Sequence, residues 1–273
     1  MSVLISVDDL AAALAGPHPP VVLDVRWTLG GPPGHGEYLH GHIPGAVYVD
    51  LDTELAAHGE PADGRHPLPA ADDLRRAARR WGINPGTAVV AYDGGGNLAA
   101  ARAWWLLRWA GLTDVRLLDG ALPAWVAAGL PSATDDVLPE PGRVELADGA
   151  LPTLTLEQAG GFDGMLLDAR APERFRGDTE PIDPKAGHIP GAVSAPTVDN
   201  LTADGRFRSA RDLRERFTAL GIGDGRPVGT YCGSGVNAAH QIAALAIAGF
   251  GAALFPGSWS QWSNHDLPVA VGD

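Results

Sequence analysis

Val228-Gly229-Thr230-Tyr231-Cys232-Gly233-Ser234-Gly235-Val236-Asn237-Ala238-Ala239-His240 is the stretch whose reading decides the fold. Its short apolar and β-branched opening has the character of a buried parallel strand. The Ala/Ile/Leu run from Ala238 to Ala248 has that of a helix. Between them lies a glycine-rich loop carrying Cys232, the one cysteine among 273 residues. In a strand–loop–helix of this kind, N–H groups of the loop and of the helix start converge on the sulfur and favour thiolate over thiol. Gly233 and Gly235 let the loop curl around that sulfur with no Cβ in the way. Free cysteines are commonly buried and inert. Inertness gives no reason for Gly-Ser-Gly directly after the cysteine, so Cys232 is read as a nucleophile.

The length suits two domains of roughly 130 residues each. A hydrophobic content of 45% is enough for proper cores. The formal net charge of −13 argues against nucleic acid or an anionic membrane surface as a partner, and requires any anionic substrate to find a local basic site. One cysteine permits no internal disulfide, which makes a reducing cytoplasm the expected location. No apolar run approaches the length of a membrane span. The nine histidines are scattered without ligand spacing, so no metal site is expected.

Outward from Cys232, the chain proves to be written twice. Leu166-Leu-Asp168-Ala-Arg170 answers Leu23-Asp24-Val-Arg26, and His188-Ile-Pro-Gly-Ala-Val answers His42-Ile-Pro-Gly-Ala-Val residue for residue. The helix expected from Ser209 to Leu220 answers that at Asp72–Trp81, whose acids come first and bases last, as the helix dipole favours. Thr230-Tyr231-Cys232-Gly233 answers Ala91-Tyr92-Asp93-Gly94. The Pro-, Asp- and Gly-rich stretch 131–152 is expected to be a linker between domains 1–130 and 153–273. Strands alternating with helices give an α/β fold with parallel sheets. Duplication also supplies an internal control: features present in both halves are scaffold, and features in one half are candidates for chemistry. Cys232 passes that test, because Asp93 holds its place in the first half.

Cys232-Gly233-Ser234-Gly235-Val236 followed by the small polar Asn237 resembles the active-site loop of the mercaptopyruvate sulfurtransferases, a branch of the rhodanese superfamily. With the doubled His-Ile-Pro-Gly-Ala-Val as second anchor, the resemblance covers essentially the whole chain. It implies two tandem rhodanese-like domains, each a parallel sheet flanked by helices, the first catalytically silent. It also implies a Cys232 persulfide held by backbone N–H groups of Gly233, Gly235, Val236 and Asn237. Ser234 would work with His42 in proton transfer, with Glu37 a candidate for the carboxylate that orients the histidine. Trp27 matches a pocket-lining aromatic of the family.

Three arginines in Asp168-Ala-Arg170-Ala-Pro-Glu-Arg174-Phe175-Arg176 follow a strand end, where open α/β sheets bind ligands. A planar guanidinium fork suits a carboxylate or sulfonate. Arg170 has a partner in Arg26 and reads as scaffold; Arg176 reads as a solvated surface residue. Arg174 has no first-half equivalent and matches the substrate-clamping arginine of the resemblance. The family's second substrate arginine would lie in the loop 178–187, where Lys185 is the only cation.

A phosphate-binding P-loop is excluded, since the Gly-Lys-Ser/Thr ending is absent. Cysteine phosphatases and arsenate reductases close their oxyanion loop with an arginine; here Ala238 occupies that place. The activity that the resemblance implies is sulfur transfer by double displacement, from a small anionic donor to cyanide, a thiol or a thioredoxin-like protein, with no cofactor. Mercaptopyruvate is the expected donor because the loop brings no charge for a compact dianion. Thiosulfate is the alternative donor; a cysteine phosphatase or arsenate reductase-like enzyme and a non-enzymatic sulfur carrier are the alternative roles.

Overall fold

The computed structural model describes residues 2–223 and 225–273. The chain forms two compact units. Unit 1 comprises Met1–Ala56, Pro69–Ala150 and Ala203–Phe207; unit 2 comprises Ala57–Leu68, Leu151–Thr202 and Arg208–Asp273. Each unit thus includes a short segment from the other half of the sequence.

Unit 1 is built on a parallel sheet of β1 (Leu4–Ile5), β2 (Val21–Asp24), β3 (Val47–Tyr48), β4 (Val89–Tyr92) and β5 (Val115–Leu118). Their order across the sheet is β1-β5-β4-β2-β3. Unit 2 holds β6 (Met165–Asp168), β7 (Val193–Ser194), β8 (Val228–Tyr231) and β9 (Ala253–Leu254) in the order β7-β6-β8-β9. Every pair is parallel. The duplication extends to register: Asp24 pairs Tyr92, and Asp168 pairs Tyr231. Where unit 1 has β1, unit 2 has a single parallel bridge from Thr153 to Leu254. The fold is α/β with two parallel sheets flanked by helices, as the sequence pattern predicts.

β4, β6 and β8 are buried at every position, which is why they read as short, mainly apolar or β-branched runs. The core of unit 1 joins Leu10, Val22, Ile43, Val90, Tyr92 and Trp125; that of unit 2 joins Leu166, Ile189, Tyr231, Phe255, Trp259 and Trp262. The helix after β8 runs Val236–Ile247, starting two residues before the alanine run because Gly235, in the left-handed conformation at φ 80°, ends the loop there.

The stretch expected as a linker, 131–152, is not slack. Gly142 N donates to Arg79 O (2.7 Å) and Val144 N to Ile83 O (3.1 Å), while Val144 and Leu146 turn inward between exposed Arg143 and Glu145. That alternation of period two is what an extended segment lying on a domain surface requires. A Cβ at Gly142 would come within 2.0 Å of Ile83 O, so only glycine fits. Among the described residues no helix is long and apolar enough to cross a membrane.

Candidate active site

Tyr231, the last residue of β8, is wholly buried, and its hydroxyl accepts a hydrogen bond from Ile189 N (3.1 Å) in the second His-Ile-Pro-Gly-Ala-Val turn. The chain then leaves the sheet as Cys232, 2% exposed, with Gly235 N donating to Sγ at 3.1 Å. The loop's other side is tied to the helix Ser258–Trp262. Cys232 N donates to Ser258 Oγ (3.1 Å), Trp259 N to Cys232 O (2.9 Å) and Ser260 N to Gly233 O (2.8 Å). Ser258 takes a positive φ of 52°, uncommon for a residue with a side chain, and its hydroxyl donates to Phe255 O at 2.9 Å. Loop carbonyls are thereby fixed on one side, and the sulfur meets an N–H donor on the other. That is the arrangement a thiolate or a persulfide needs.

Ser234 is buried, and its Oγ shares a 2.7 Å hydrogen bond with His66 Nδ1. His66 comes from the segment Ala57–Leu68, which belongs to unit 2 although it precedes half of unit 1 in sequence. Its neighbour Arg65 donates from its backbone N to Ser260 Oγ (3.1 Å), and its guanidinium pairs with Asp183. Gly64 lies so close to the loop before Ser258 that a Cβ on it would be 2.8 Å from Gly257 O.

Arg174 sits on the short helix Pro172–Arg176. Its Nη2 donates to Glu180 Oε1 at 2.6 Å and to Asp183 Oδ2 at 3.2 Å, and it stays 16% exposed. Both guanidiniums reach the cysteine loop: a Cβ on Gly233 would lie 3.0 Å from Arg65 Nη2 and 3.5 Å from Arg174 Nη1. Burial pushes the Asp183 carboxyl up, the Arg65 charge pulls it down and Glu180 pushes it up again. The site so assembled holds two cations against two carboxylates.

Other sequence expectations fall into place by unit. Gly233, Gly235, Val236 and Asn237 lie with Cys232 in unit 2, where Val236 is buried and Asn237 half-buried. Arg170 is scaffold: it bonds Asp168 and Gly187 O (2.6 Å) and lies over the Trp259 ring, just as Arg26 bonds Asp24 and Gly41 O (2.8 Å) in unit 1. Arg176 pairs with Asp178 at the surface. Lys185 is engaged with His265 O (2.6 Å) and so is committed to the backbone.

His42 and Trp27 belong to unit 1. Trp27 Nε1 donates to Asp52 Oδ1 at 2.9 Å. His42 is fully buried, stacked on Tyr38 at 4.0 Å with Nδ1 donating to Tyr38 O. His188 does the same in unit 2, stacked on Phe175 at 3.7 Å with Nδ1 donating to Phe175 O. The carboxylate facing His42 Nε2 is Asp135, at 3.8 Å, while Glu37 is exposed on the helix His35–His40. The histidine bonded to Ser234 is thus His66, a residue that sequence reasoning missed together with Arg65. A signal existed. Asp63-Gly64-Arg65-His66 is answered by Asp204-Gly205-Arg206-Phe207, so the duplication control singles out His66 as a histidine with no histidine opposite.

The rhodanese-like domain family matches twice, over residues 6–128 and 154–265. The chain belongs to the rhodanese-like family. A Pseudomonas aeruginosa relative named as a 3-mercaptopyruvate sulfurtransferase is 46% identical, over 99% of this chain and 98% of its own. A Mycobacterium tuberculosis relative named as a thiosulfate sulfurtransferase, SseB, is 49% identical over 99% and 97%. The crystal structure of the Escherichia coli 3-mercaptopyruvate sulfurtransferase SseA matches with a TM-score of 0.84 at 30% identity, covering 95% of this chain and 99% of that one.

Proposed function

We propose that this rhodanese-family protein is a sulfurtransferase that takes sulfur from 3-mercaptopyruvate through a persulfide on Cys232. The observation that carries the reading is the hydrogen bond between Ser234 and His66 beside Cys232, in a loop that brings no charge of its own. The Cys232 thiolate attacks the substrate sulfur, forming an S–S bond as the C–S bond breaks. The electron pair of that bond leaves on carbon as the enolate of pyruvate. One proton is needed to turn the enolate into pyruvate, and the substrate's own thiol, now the persulfide S–H, provides it. Ser234 and His66 form the path along which it travels, the role that the resemblance gave to His42. The terminal sulfur keeps its charge among the loop N–H groups, of which Gly235 N already faces Sγ. An acceptor nucleophile (cyanide, a small thiol or a thioredoxin-like protein) then takes the sulfur and restores the thiolate.

Electrostatics supports the choice of donor. Arg65 and Arg174 are offset by Glu180 and Asp183, so the site attracts a monoanion more readily than a compact dianion. In mercaptopyruvate the carboxylate stands several bonds from the sulfur and can meet a guanidinium while the sulfur meets Cys232. The expected result is a kcat/KM at least tenfold higher for mercaptopyruvate than for thiosulfate, about 1.4 kcal/mol of transition-state preference. Thiosulfate is the donor in the name of the M. tuberculosis relative. A wild-type preference for thiosulfate, measured on the same preparation, would replace this reading with that one.

A further inference from the structure

Arg174 alone is one arm of a clamp. The loop 178–187 offers Lys185 as its only cation, and Lys185 is bonded to backbone carbonyls of His265 and Leu267. A 2-oxo acid presents a carboxylate and a neighbouring carbonyl, three oxygens that a single guanidinium serves incompletely. We propose that Arg65, a residue of the first half of the sequence, is the second arm: with Arg174 it holds the carboxylate of the 2-oxo acid over Gly233. This inference rests on the sulfurtransferase reading of the same site.

Four observations carry it. Arg65 Nη2 and Arg174 Nη1 approach the same point, the place of a Cβ on Gly233, one residue from the nucleophile. Asp183 receives both, Arg65 at Oδ1 and Arg174 at Oδ2, so one carboxylate that is 2% exposed sets the spacing of the two forks. Both remain within reach of solvent, at 25% and 16% exposure. Finally, Arg65 is rigidly delivered, by the close approach of Gly64 to Gly257 and by the bond from its own N–H to Ser260 Oγ. Because side chains at adjacent positions diverge, one segment serves two tasks: Arg65 reaches the Gly233 side of the loop and His66 the Ser234 side.

The repeat provides the contrast. Arg206, the counterpart of Arg65, belongs to unit 1, where it pairs with Asp204 (3.2 Å) and donates to Asp119 O (3.2 Å) at 40% exposure. Asp-Gly-Arg is therefore a repeated structural tip, and the second-half copy has no cysteine loop to serve in its own unit. Glycine opposite Arg65 completes the picture: a Cβ at 233 would lie 3.0 Å from Nη2 and press on the guanidinium.

The test measures binding apart from turnover. In a Cys232→Ser background, which forms no persulfide, the dissociation constants of 3-mercaptopyruvate and of pyruvate are determined by calorimetry. Arg65→Gln should weaken both roughly ten- to a hundredfold, the range for a lost charge-assisted hydrogen bond. Arg65→Lys, which keeps the charge but loses the fork, should fall in between. Since Arg65→Gln leaves Asp183 short of a partner, Arg65→Gln/Asp183→Asn serves as the charge-balanced version, with thermal unfolding as the check on folding. Arg206→Gln should bind as the parent does. In the presence of Cys232 the same Arg65 variants should raise KM for mercaptopyruvate more than they lower kcat. Unchanged affinity in folded Arg65 variants overturns the inference, whatever the enzyme's activity. Failure of the wild type to turn over mercaptopyruvate, with affinity still dependent on Arg65, overturns the donor assignment and leaves the clamp standing.

Discussion

The loop after β4 and the loop after β8 start from the same frame with different side chains at its centre. Each follows a buried tyrosine whose hydroxyl accepts a hydrogen bond from the isoleucine N–H of a His-Ile-Pro-Gly-Ala-Val turn. Each has the carbonyl of its first residue bound by an N–H from the turn after the next strand: Leu122 N to Asp93 O at 3.1 Å, Trp259 N to Cys232 O at 2.9 Å. In unit 1 the chain supplies the negative charge itself. Asp93 Oδ1 accepts from Gly95 N (2.8 Å) and Asn97 N (3.0 Å), and Oδ2 from Ala99 N (2.9 Å) and Ala100 N (3.3 Å). In unit 2 the side chain at that position is a thiol. A fixed carboxylate occupies the donors permanently, although burial works against its charge. A sulfur, with Gly235 N facing it, leaves its loop open to charge that comes and goes during sulfur transfer. The exchanges of Asp93 for Cys232 and of Gly95 for Ser234 at repeated positions thus separate a carboxylate-filled loop from a candidate catalytic one.

The sharpest way to break this comparison is at Cys232 itself. Cys232→Ser should abolish sulfur transfer while the protein stays folded, because a hydroxyl cannot hold a sulfane sulfur. Mass spectrometry of wild type treated with donor alone should show one added sulfur on the peptide that contains Cys232. Transfer surviving in the serine variant would end the nucleophile assignment.

The histidines come next in expected size. His66→Ala should lower kcat for mercaptopyruvate by roughly a hundredfold or more, the usual contribution of a group that moves a proton in the transition state. His42→Ala and His188→Ala should instead behave like each other. Each removes a buried ring stacked on an aromatic neighbour and lowers the unfolding free energy, by about 2–4 kcal/mol on the scale of large core truncations. Neither should slow turnover per folded molecule as His66→Ala does. A catalytic loss at His42 alone, with stability intact, would restore His42 to the role the resemblance implied.

The scaffold was legible because its signals are local. β4, β6 and β8 announce themselves as short, mainly apolar or β-branched runs, and Gly235 marks the end of its loop. Cys232, Gly233, Ser234 and Gly235 were legible for the same reason, being contiguous. Arg65 and His66 were harder, since they meet Ser234 and Gly233 from almost 170 positions away, and no period or propensity reports such a contact. What could report it is the mismatch between His66 and Phe207 within a repeated Asp-Gly-Arg. The segment 131–152 reads as a linker from its proline, aspartate and glycine content, and the alternation of Val144 and Leu146 with charged residues marks an extended segment bound to unit 1. The expected helper to the histidine, Glu37, failed for a geometric reason: it lies on the exposed face of its helix.

The smallest effect expected concerns Asp93, and its sign distinguishes the two loops thermodynamically. Burial pushes the Asp93 carboxyl up to about 6, against the pull of four backbone N–H donors, from 3.8 in the unfolded chain. Between those values the folded state binds more protons than the unfolded state, so stability falls as pH rises through the window and levels off above it. The slope is at most about 1.4 kcal/mol per pH unit. Asp93→Asn presents a carboxyl-like group that never ionises, so it should lack this slope. The stability of the asparagine variant relative to wild type, from urea unfolding at matched pH, should therefore increase between pH 4 and pH 7. Sulfur transfer by the variant should change little, since Asp93 bears no sulfur. If the variant instead loses ground to wild type as pH rises, the four N–H donors outweigh burial. The first loop is then an anion site of real affinity, and the contrast with Cys232 lies in the occupant alone.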